Sequence, residues 1–204
     1  MKIKSRRYKQ SGFSLLEVLI TIMITLIAIL GIALLQAKAQ QAELESYQRA
    51  QALVLLSDIV DRINIHRSTT SCFVITSNTG SGIPYVGTDG TDHIGVPACA
   101  ASTTNYNDQA DDAMDAIDDL LKGSAETLGG NPVGAMIGAR ACISYDASTE
   151  LDSVSGTGLY TVVVSWQALA DLVAPVNNCG NGLYGTETKR RAVSTSFRMA
   201  NLYG

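Results

Sequence analysis

The most pronounced pattern in the chain is an apolar run near its amino terminus. Residues Phe13 to Leu35 contain a single charged residue, Glu17, in 23 positions. As an α-helix this run would rise about 34 Å, which is enough to cross the hydrocarbon core of a bilayer. Because the run is longer than the apolar core of a secretory signal peptide, we expect a membrane-spanning helix.

The helical pattern continues beyond the apolar run, since neither Gly nor Pro occurs between Leu35 and Gly80. Residues 36–51 are rich in Ala and Gln. After them, apolar residues recur at helical spacing, namely Ala52, Leu53, Leu56, Ile59, Val60 and Ile63. The pattern predicts one helix from Phe13 to about Ile65, whose second half packs on a globular domain.

Residues 67–104 are rich in Ser, Thr and Gly, and their turn signals "NTGSGIP" and "GTDGTD" predict an irregular connection. The next segment holds six aspartates between Asp108 and Asp119. Their spacing differs from that of an EF-hand calcium loop. An apolar helical stripe runs between them instead, formed by Ala110, Ala113, Met114, Ile117, Leu120 and Leu121. We therefore expect a short helix with a solvated acidic face, capped by Asn107 or Asp108 and ended by Gly123.

Three later segments have the composition of strands: "ARACISYD", "LYTVVVSWQAL" and "RAVSTSFRM". The first and last alternate larger apolar residues with small or polar ones, whereas the middle segment is apolar on both faces, as a central strand can be. Three such strands in sequence predict an antiparallel meander packed against the second half of the long helix. The expected fold class is α+β.

Charge is distributed unevenly along the chain. Five of the fifteen basic residues precede Gly12, with no acid among them, whereas ten basic and nineteen acidic residues follow it, a formal net charge of −9. The positive-inside rule places the basic leader in the cytoplasm and the residues after Leu35 across the membrane. The acidic body argues against nucleic-acid binding. One cluster of basic residues near the carboxyl terminus still forms a possible basic patch, made of Lys189, Arg190, Arg191 and Arg198.

All four cysteines follow the apolar run, on the side where disulfides form, and none belongs to a C-x-x-C motif. Four cysteines permit three pairings. We favour Cys72 with Cys99 and Cys142 with Cys179, because each pair would close one long loop. Each bond would then add about 2 to 4 kcal/mol to the free energy of unfolding.

The acid inside the apolar run needs an explanation, since an ionisable residue in a membrane segment is a candidate for function. A tolerated acid near the membrane surface is one explanation. Cleavage after Gly12 offers another, because it would leave Phe13 with a free α-amine one helical turn from Glu17. A paired charge is much less unfavourable in lipid than a lone one.

The basic leader followed by "GFSLLEVLITIMI" resembles the class III signal of type IV pilins and of the pseudopilins of type II secretion. The resemblance implies that prepilin peptidase cuts after Gly12 and that Phe13 is N-methylated. It also implies that Glu17 pairs with the amino terminus of an adjacent subunit. Later segments are similar to PilV-type minor pilins, among them "ILGIALLQ", "RACISYD", "YTVVVSWQ" and "RRAVSTSFRMANLYG". Unlike major pilins, which commonly have a proline in this helix, the chain has none before Pro84.

These patterns divide the chain into a leader removed on maturation, residues 1–12, and a transmembrane and assembly segment, residues 13–35. Residues 36–66 are the domain half of the helix, and residues 67–204 are the globular head. In the head, the loop and acidic helix (67–138) precede the antiparallel sheet with its disulfide-closed loop (139–204). The resemblance implies a pilin fold, other pilins and prepilin peptidase as partners, and the inner membrane of a Gram-negative-type bacterium. The head would be periplasmic before the protein enters the extracellular pilus.

Motifs for catalysis or cofactor binding are missing from the sequence. Its two histidines, His66 and His93, have no associated nucleophile pattern, and G-x-S-x-G, P-loop and dinucleotide motifs do not occur. We therefore expect a structural protein, a minor pilin, that uses no cofactor, metal or small-molecule substrate. The alternatives are a type II secretion pseudopilin, a tip module that binds DNA or surfaces, and a membrane-anchored enzyme.

Overall fold

The computed structural model describes residues 12–90, 98–123, 127–128, 131–132, 136–152 and 154–200. The predictions for the leader up to Ser11, for His93 and for the terminal "NLYG" lie outside these residues. The chain divides into two compact units, residues 1–43 and 44–204.

The first helix, α1, runs from Leu15 to Ile65 and begins two residues after the predicted start at Phe13. Among the described residues, α1 is the helix that is long and apolar enough to cross a membrane. The mean hydropathy of its most apolar window is 3.0. No part of that window is buried by the protein itself. The side chains of this part of α1 are therefore available to lipid or to other helices.

In the second unit, α1 buries a stripe of residues at helical spacing, formed by Gln48, Ala52, Leu56, Ile59 and Ile63. This stripe starts one turn earlier than predicted, at Gln48. The prediction was wrong for Leu53, which is 50% exposed. Leu53 lies about 100° around the helix from Ala52, and this rotation turns its side chain away from the core.

The connection after α1 is more ordered than predicted. It contains a 3-10 turn, Arg67–Thr69, a short helix α2, Thr70–Phe73, and a two-residue strand β1, Val86–Gly87. A two-residue strand has too few positions to show alternation, so the sequence gives no signal for it.

The acidic helix, α3, spans Thr104–Lys122 and begins earlier than predicted. Asn107 does not cap the helix, because its side-chain oxygen accepts from the Ser102 N–H (2.9 Å) and its side-chain nitrogen donates to the Ser102 carbonyl (3.0 Å). The predicted end is confirmed: Gly123 adopts the left-handed conformation (φ 86°) and its N–H bonds the Leu120 carbonyl at 3.1 Å. The glycine permits this positive φ without a steric clash.

The acidic face of α3 is not fully solvated, which corrects the prediction. Asp118 is buried, with 5% exposure, and accepts a hydrogen bond from the Gly87 N–H at 2.8 Å. It also forms a salt bridge with Lys122. A buried carboxylate is tolerated when it is paired and hydrogen-bonded, and here it joins α3 to β1.

The main sheet has three long strands, β4, Arg140–Asp146, β5, Leu159–Gln167, and β6, Arg190–Arg198. With β1 it forms a four-stranded antiparallel sheet in the order β1–β4–β5–β6. The three long strands form the predicted meander of consecutive strands. A separate hairpin pairs β2, Thr127–Leu128, with β3, Asn131–Pro132. The sequence pattern does not indicate this hairpin, because its strands are also only two residues long.

One face of the sheet contributes to the main core, with residues such as Ile143, Val162, Val164 and Trp166 packed in one cluster with residues of α1 and α3. The opposite face carries a smaller cluster of Cys142, Val163 and Cys179. The alternation along β4 produces this division, because successive side chains of a strand point to opposite faces. The predicted α+β fold, a long apolar helix with a four-stranded antiparallel sheet, is confirmed.

Candidate functional site

The junction predicted for processing lies immediately before α1. Gly12, Phe13 and Ser14 are outside the helix, which begins at Leu15. The Phe13 side chain is 85% exposed, and a Cβ added to Gly12 would have no heavy atom within 4 Å. The peptide bond between Gly12 and Phe13 is thus accessible in an irregular stretch of chain.

Glu17 lies in the first turn of α1. Its backbone N–H donates to the Ser14 carbonyl at 3.0 Å, and a negative charge in the first turn of a helix is favourable. Among the described residues, no basic side chain forms a salt bridge with Glu17. The carboxylate is therefore available to a cation from outside this set.

Two threonines that were not among the predicted site residues extend the polar face that begins at Glu17. Thr21 and Thr25 follow at intervals of four residues, the spacing that places side chains on one helix face. The Thr21 hydroxyl donates to the Val18 carbonyl (2.8 Å) and the Thr25 hydroxyl to the Thr21 carbonyl (2.6 Å). These bonds satisfy the hydroxyl protons within the helix, as lipid surroundings require.

The four cysteines form two disulfides, Cys72–Cys99 and Cys142–Cys179, in the pairing that loop closure favours. The first joins α2 to the segment before α3, where the Cys99 N–H also donates to the Asp111 carboxylate at 3.3 Å. The second joins the outer face of β4 to the loop between β5 and β6. Both disulfides therefore attach irregular segments of the head to regular elements.

The four residues of the predicted basic patch differ in exposure, and Arg190 is buried. Arg190 is 2% exposed, and its guanidinium donates to the backbone carbonyls of Pro175 (3.2 Å) and Cys179 (3.3 Å). It also forms a salt bridge with Glu187 at 2.6 Å. Burial raises the pKa of the Glu187 carboxyl, but the Gly182 N–H and Arg190 outweigh burial and hold this pKa below its ordinary value.

Two further arginines also contact loops of the head. Arg191 donates to the Ala170 carbonyl at 2.7 Å and lies 3.6 Å from the Glu45 carboxylate. Arg198 donates to the carbonyls of Thr149 and, at 3.0 Å, Thr157. Arg190 and Arg198 are at opposite ends of β6, about 26 Å apart at the usual strand rise. Such scattered, bonded cations do not form a compact site for a phosphate backbone.

One more cation is held inside the head. The Arg140 guanidinium lies over the rings of Tyr85 and Tyr184, 5.5 and 4.9 Å from their centroids, and its Nη2 donates to Asp89 at 2.9 Å. Burial raises the pKa of Tyr184, and the hydroxyl's contacts with Ser165 and Arg140 only partly offset this effect. Cation–π contacts of this kind stabilise the packing of the two loops that carry the tyrosines.

A groove of about 670 Å³ opens on the outer face of the sheet. Its floor includes Ser144, Thr161 and Val163, and its walls include Thr76 and Asn178. His66 is elsewhere and stacks on Phe73, with 5.6 Å between ring centroids. Within the described parts of the chain, no three His, Cys, Asp or Glu side chains are grouped as metal ligands. The groove thus presents mainly hydroxyl, amide and aliphatic groups.

Residues 7–33 match the prokaryotic N-terminal methylation motif. The match includes the Gly12–Phe13 junction, Glu17 and most of the apolar run. No curated protein and no solved structure matches the chain. The matched motif supports a type IV pilin-like or pseudopilin protein, a structural class that is processed at its amino terminus and anchored in a membrane through an apolar helix.

Proposed function

We propose that this protein is a minor pilin of a type IV pilus, processed by prepilin peptidase and then incorporated into the filament or used to prime it. The proposal rests on features that occur together at the amino terminus. The methylation motif coincides with an accessible Gly12–Phe13 bond and a carboxylate in the first turn of an apolar helix.

Processing would supply the cation that Glu17 lacks. Cleavage after Gly12 removes the basic leader and leaves Phe13 with an α-amine, which keeps its positive charge when it is methylated. The amine of a neighbouring subunit would then pair with Glu17 in a medium of low dielectric constant. In such a medium an unpaired charge is strongly unfavourable, so the pair selects the docked position.

Assembly on this proposal transfers the apolar helix from lipid into a bundle of pilin helices. The net hydrophobic gain is small, because lipid and a helix bundle are both free of water, so packing and polar contacts must select the docked arrangement. Glu17, Thr21 and Thr25 lie on the face that we expect to turn toward neighbouring helices. Their small or charged side chains distinguish this face from the Leu- and Ile-rich remainder of the helix.

The proposal includes the division of the chain into leader (1–12), assembly segment (13–35), domain half of the helix (36–66) and head (67–204). Its partners are other pilins and prepilin peptidase. The protein would reside in the inner membrane, with its head in the periplasm, before it enters the pilus. A type II secretion pseudopilin is the second candidate, because the methylation motif is common to both classes.

Substitution of Glu17 by Gln tests the assembly step. We expect Glu17→Gln to lower the amount of the protein in sheared filaments at least tenfold, because the amine of the neighbour would lose its counter-charge. Cleavage of the leader should continue, since the junction is unchanged. The measurement is quantitative immunoblotting of filament and membrane fractions.

Glu43→Gln is the matched control, because Glu43 is an exposed acid on the same helix but outside the apolar run. This variant should enter filaments as the unmodified protein does. Incorporation of Glu17→Gln at the normal level would refute the pairing. Incorporation into secretion pseudopili, and not into pili, would select the second candidate.

A further inference from the structure

The two edges of the main sheet differ in whether another segment of the chain pairs with them. At one edge, the outer side of β4 pairs with the two-residue strand β1. Thr76 also bonds this side of β4: its N–H donates to the Ile143 carbonyl (2.8 Å), and its Oγ1 accepts from the Ile143 N–H (3.0 Å). At the other edge lies β6, nine residues long, which pairs with β5 on one side. No described strand pairs with its other side. The β6 edge is therefore open as far as the described residues extend.

The register identifies the backbone groups on this open edge. Ala168 N–H donates to the Lys189 carbonyl at 2.8 Å, so Lys189 directs its backbone toward β5. Successive residues of a strand direct their backbone groups to alternate sides. The odd-numbered residues of β6 therefore bond β5, whereas Ala192, Ser194 and Ser196 present an N–H and a C=O to the outside.

The centre of this edge lacks the charges with which proteins usually block an exposed strand. Residues 192–196 read Ala-Val-Ser-Thr-Ser. The charged side chains at the amino-terminal end are bonded elsewhere: Arg190 is buried among loop carbonyls, and Arg191 bonds Ala170. The side chains of this stretch are thus uncharged and small, so another strand can approach its backbone closely.

Basic residues nevertheless flank the stretch on both sides. Lys189, Arg190 and Arg191 precede it and Arg198 follows it, on a body whose net charge after Gly12 is −9. The described carboxylates form no salt bridge with Lys189 or Arg198, and the Arg198 guanidinium bonds two backbone carbonyls. The positive charge at the two ends is therefore only partly neutralised.

This charge pattern argues against a second copy of the chain as the occupant. Two β6 edges paired antiparallel around Ser194 would bring Arg198 of each copy next to Lys189 of the other. Parallel pairing would also place like charges together. Like charges directly opposite each other destabilise a strand pair. A strand with acidic ends avoids this repulsion.

We propose that the open edge of β6 binds an extended segment of another protein by β-strand addition. Ala192, Ser194 and Ser196 supply the backbone hydrogen bonds, and Lys189 and Arg198, one at each end, select a segment with carboxylates at both ends of an uncharged stretch. This mode of recognition takes its affinity mainly from the backbone and its specificity from the flanking side chains. The site does not depend on filament assembly, so it can be tested separately from the proposed function.

The experiment uses the full chain in nanodiscs of zwitterionic lipid and two synthetic nine-residue peptides. Both peptides alternate Thr and Val, and one carries Asp at each end where the other carries Lys. Fluorescence anisotropy at low salt should show at least tenfold tighter binding of the Asp-ended peptide. Added salt should reduce this difference, because the selection is electrostatic.

Ser194→Pro and Ser194→Ala form the matched pair of variants. Proline removes an N–H that points away from β5, a position where edge strands tolerate it. Alanine keeps that N–H. We expect Ser194→Pro to weaken binding of the Asp-ended peptide at least tenfold and Ser194→Ala to change it less than twofold. Near-ultraviolet circular dichroism and mass spectrometry of both disulfides check that the variants are folded.

Amide hydrogen exchange on the unmodified protein gives a second measurement that does not depend on the folding of Ser194→Pro. The bound Asp-ended peptide should slow exchange at Ala192, Ser194 and Ser196. Equal affinity for the two peptides, absence of binding, or protection at other residues would each overturn the proposal. Disulfide cross-linking between two copies of Ser194→Cys would also overturn it, because the occupant would then be the chain itself.

Discussion

At the scale of single residues, the head depends on arginines that bind loop backbone. Arg190 illustrates the role: its guanidinium donates to carbonyls of the loop between β5 and β6 and pairs with Glu187. Loop carbonyls that are buried need such donors, since an unpaired buried polar group is unfavourable. A planar group with five donors suits this task better than a lysine.

Removal of this side chain should therefore destabilise the head. We predict that Arg190→Ala lowers the free energy of unfolding by about 3 kcal/mol, because several carbonyls and Glu187 lose their partner together. Urea denaturation followed by circular dichroism measures the change. The neighbouring Lys189→Ala is the control and should change the free energy by less than about 0.5 kcal/mol. Equal effects of the two variants would contradict the conclusion that Arg190 holds the loop between β5 and β6.

A second residue-scale prediction concerns Asp115 on the acidic face of α3. Burial raises the pKa of its carboxyl, and the surrounding aspartates Asp112, Asp119, Asp111 and Asp118 raise it further. A carboxyl with a higher pKa in the folded state binds more protons when folded, so its ionisation lowers stability as the pH rises through that range. Asp115 is thus destabilising at neutral pH.

We therefore expect Asp115→Asn to stabilise the protein at pH 7 by about 0.5 kcal/mol, the size of a like-charge effect on a helix surface. The gain should disappear as the pH falls below about 4, where the aspartate is protonated even in the unfolded chain. Thermal melts across this pH range provide the test. Asp108→Asn serves as the comparison, because Asp108 lies near the helix start, where a negative charge is favourable. A gain that persists at low pH would rule out this explanation.

At the scale of elements, the disulfides and the arginines act on the same irregular segments. Cys142–Cys179 closes a separation of 37 residues and attaches the loop between β5 and β6 to β4. The approach is close there: a Cβ on Gly82 would lie 2.0 Å from the Asn178 carbonyl oxygen, so glycine is required at that position. The loop between β5 and β6 is therefore held by a disulfide, by Arg190 and by contact with the turn that contains Gly82.

Replacement of both Cys142 and Cys179 by Ser should lower the free energy of unfolding by about 3 to 4 kcal/mol, since the unfolded chain regains the entropy of a long open loop. Chemical denaturation of the oxidised proteins measures this loss. The corresponding change at Cys72 and Cys99, which are 27 residues apart, should have a similar effect, because loop entropy varies only with the logarithm of length. A loss below about 1 kcal/mol after replacement of Cys142 and Cys179 would mean that the arginine contacts alone hold the loop between β5 and β6.

The elements that could be predicted from the sequence are those with enough residues to show a period. β4 and β6 alternate over seven and nine residues, β5 is an apolar run of nine residues, and the buried stripe of α3 repeats over several turns. β1 and the β2–β3 hairpin are two residues long and have no period. The roles of Arg190, Arg191 and Arg198 depend on carbonyls that are distant in sequence, so their charge alone suggested a patch. The Glu17 face, in contrast, was present in the sequence as four-residue spacing that extends to Thr21 and Thr25.

At the scale of the whole molecule, the chain combines two differently built units. The first exposes its apolar side chains, while the second has its own core, two disulfides and an acidic surface. The acidic body and the bonded arginines both argue against a general affinity for DNA. The methylation motif lies in the first unit, so the central claim concerns what happens to the amino terminus.

Mass spectrometry of sheared filaments tests this claim most directly. We expect a peptide that begins with N-methylated Phe13 and contains Glu17, from a chain that has lost residues 1–12. The claim would be contradicted if the protein were found only in membranes, as a full-length chain that still begins at Met1.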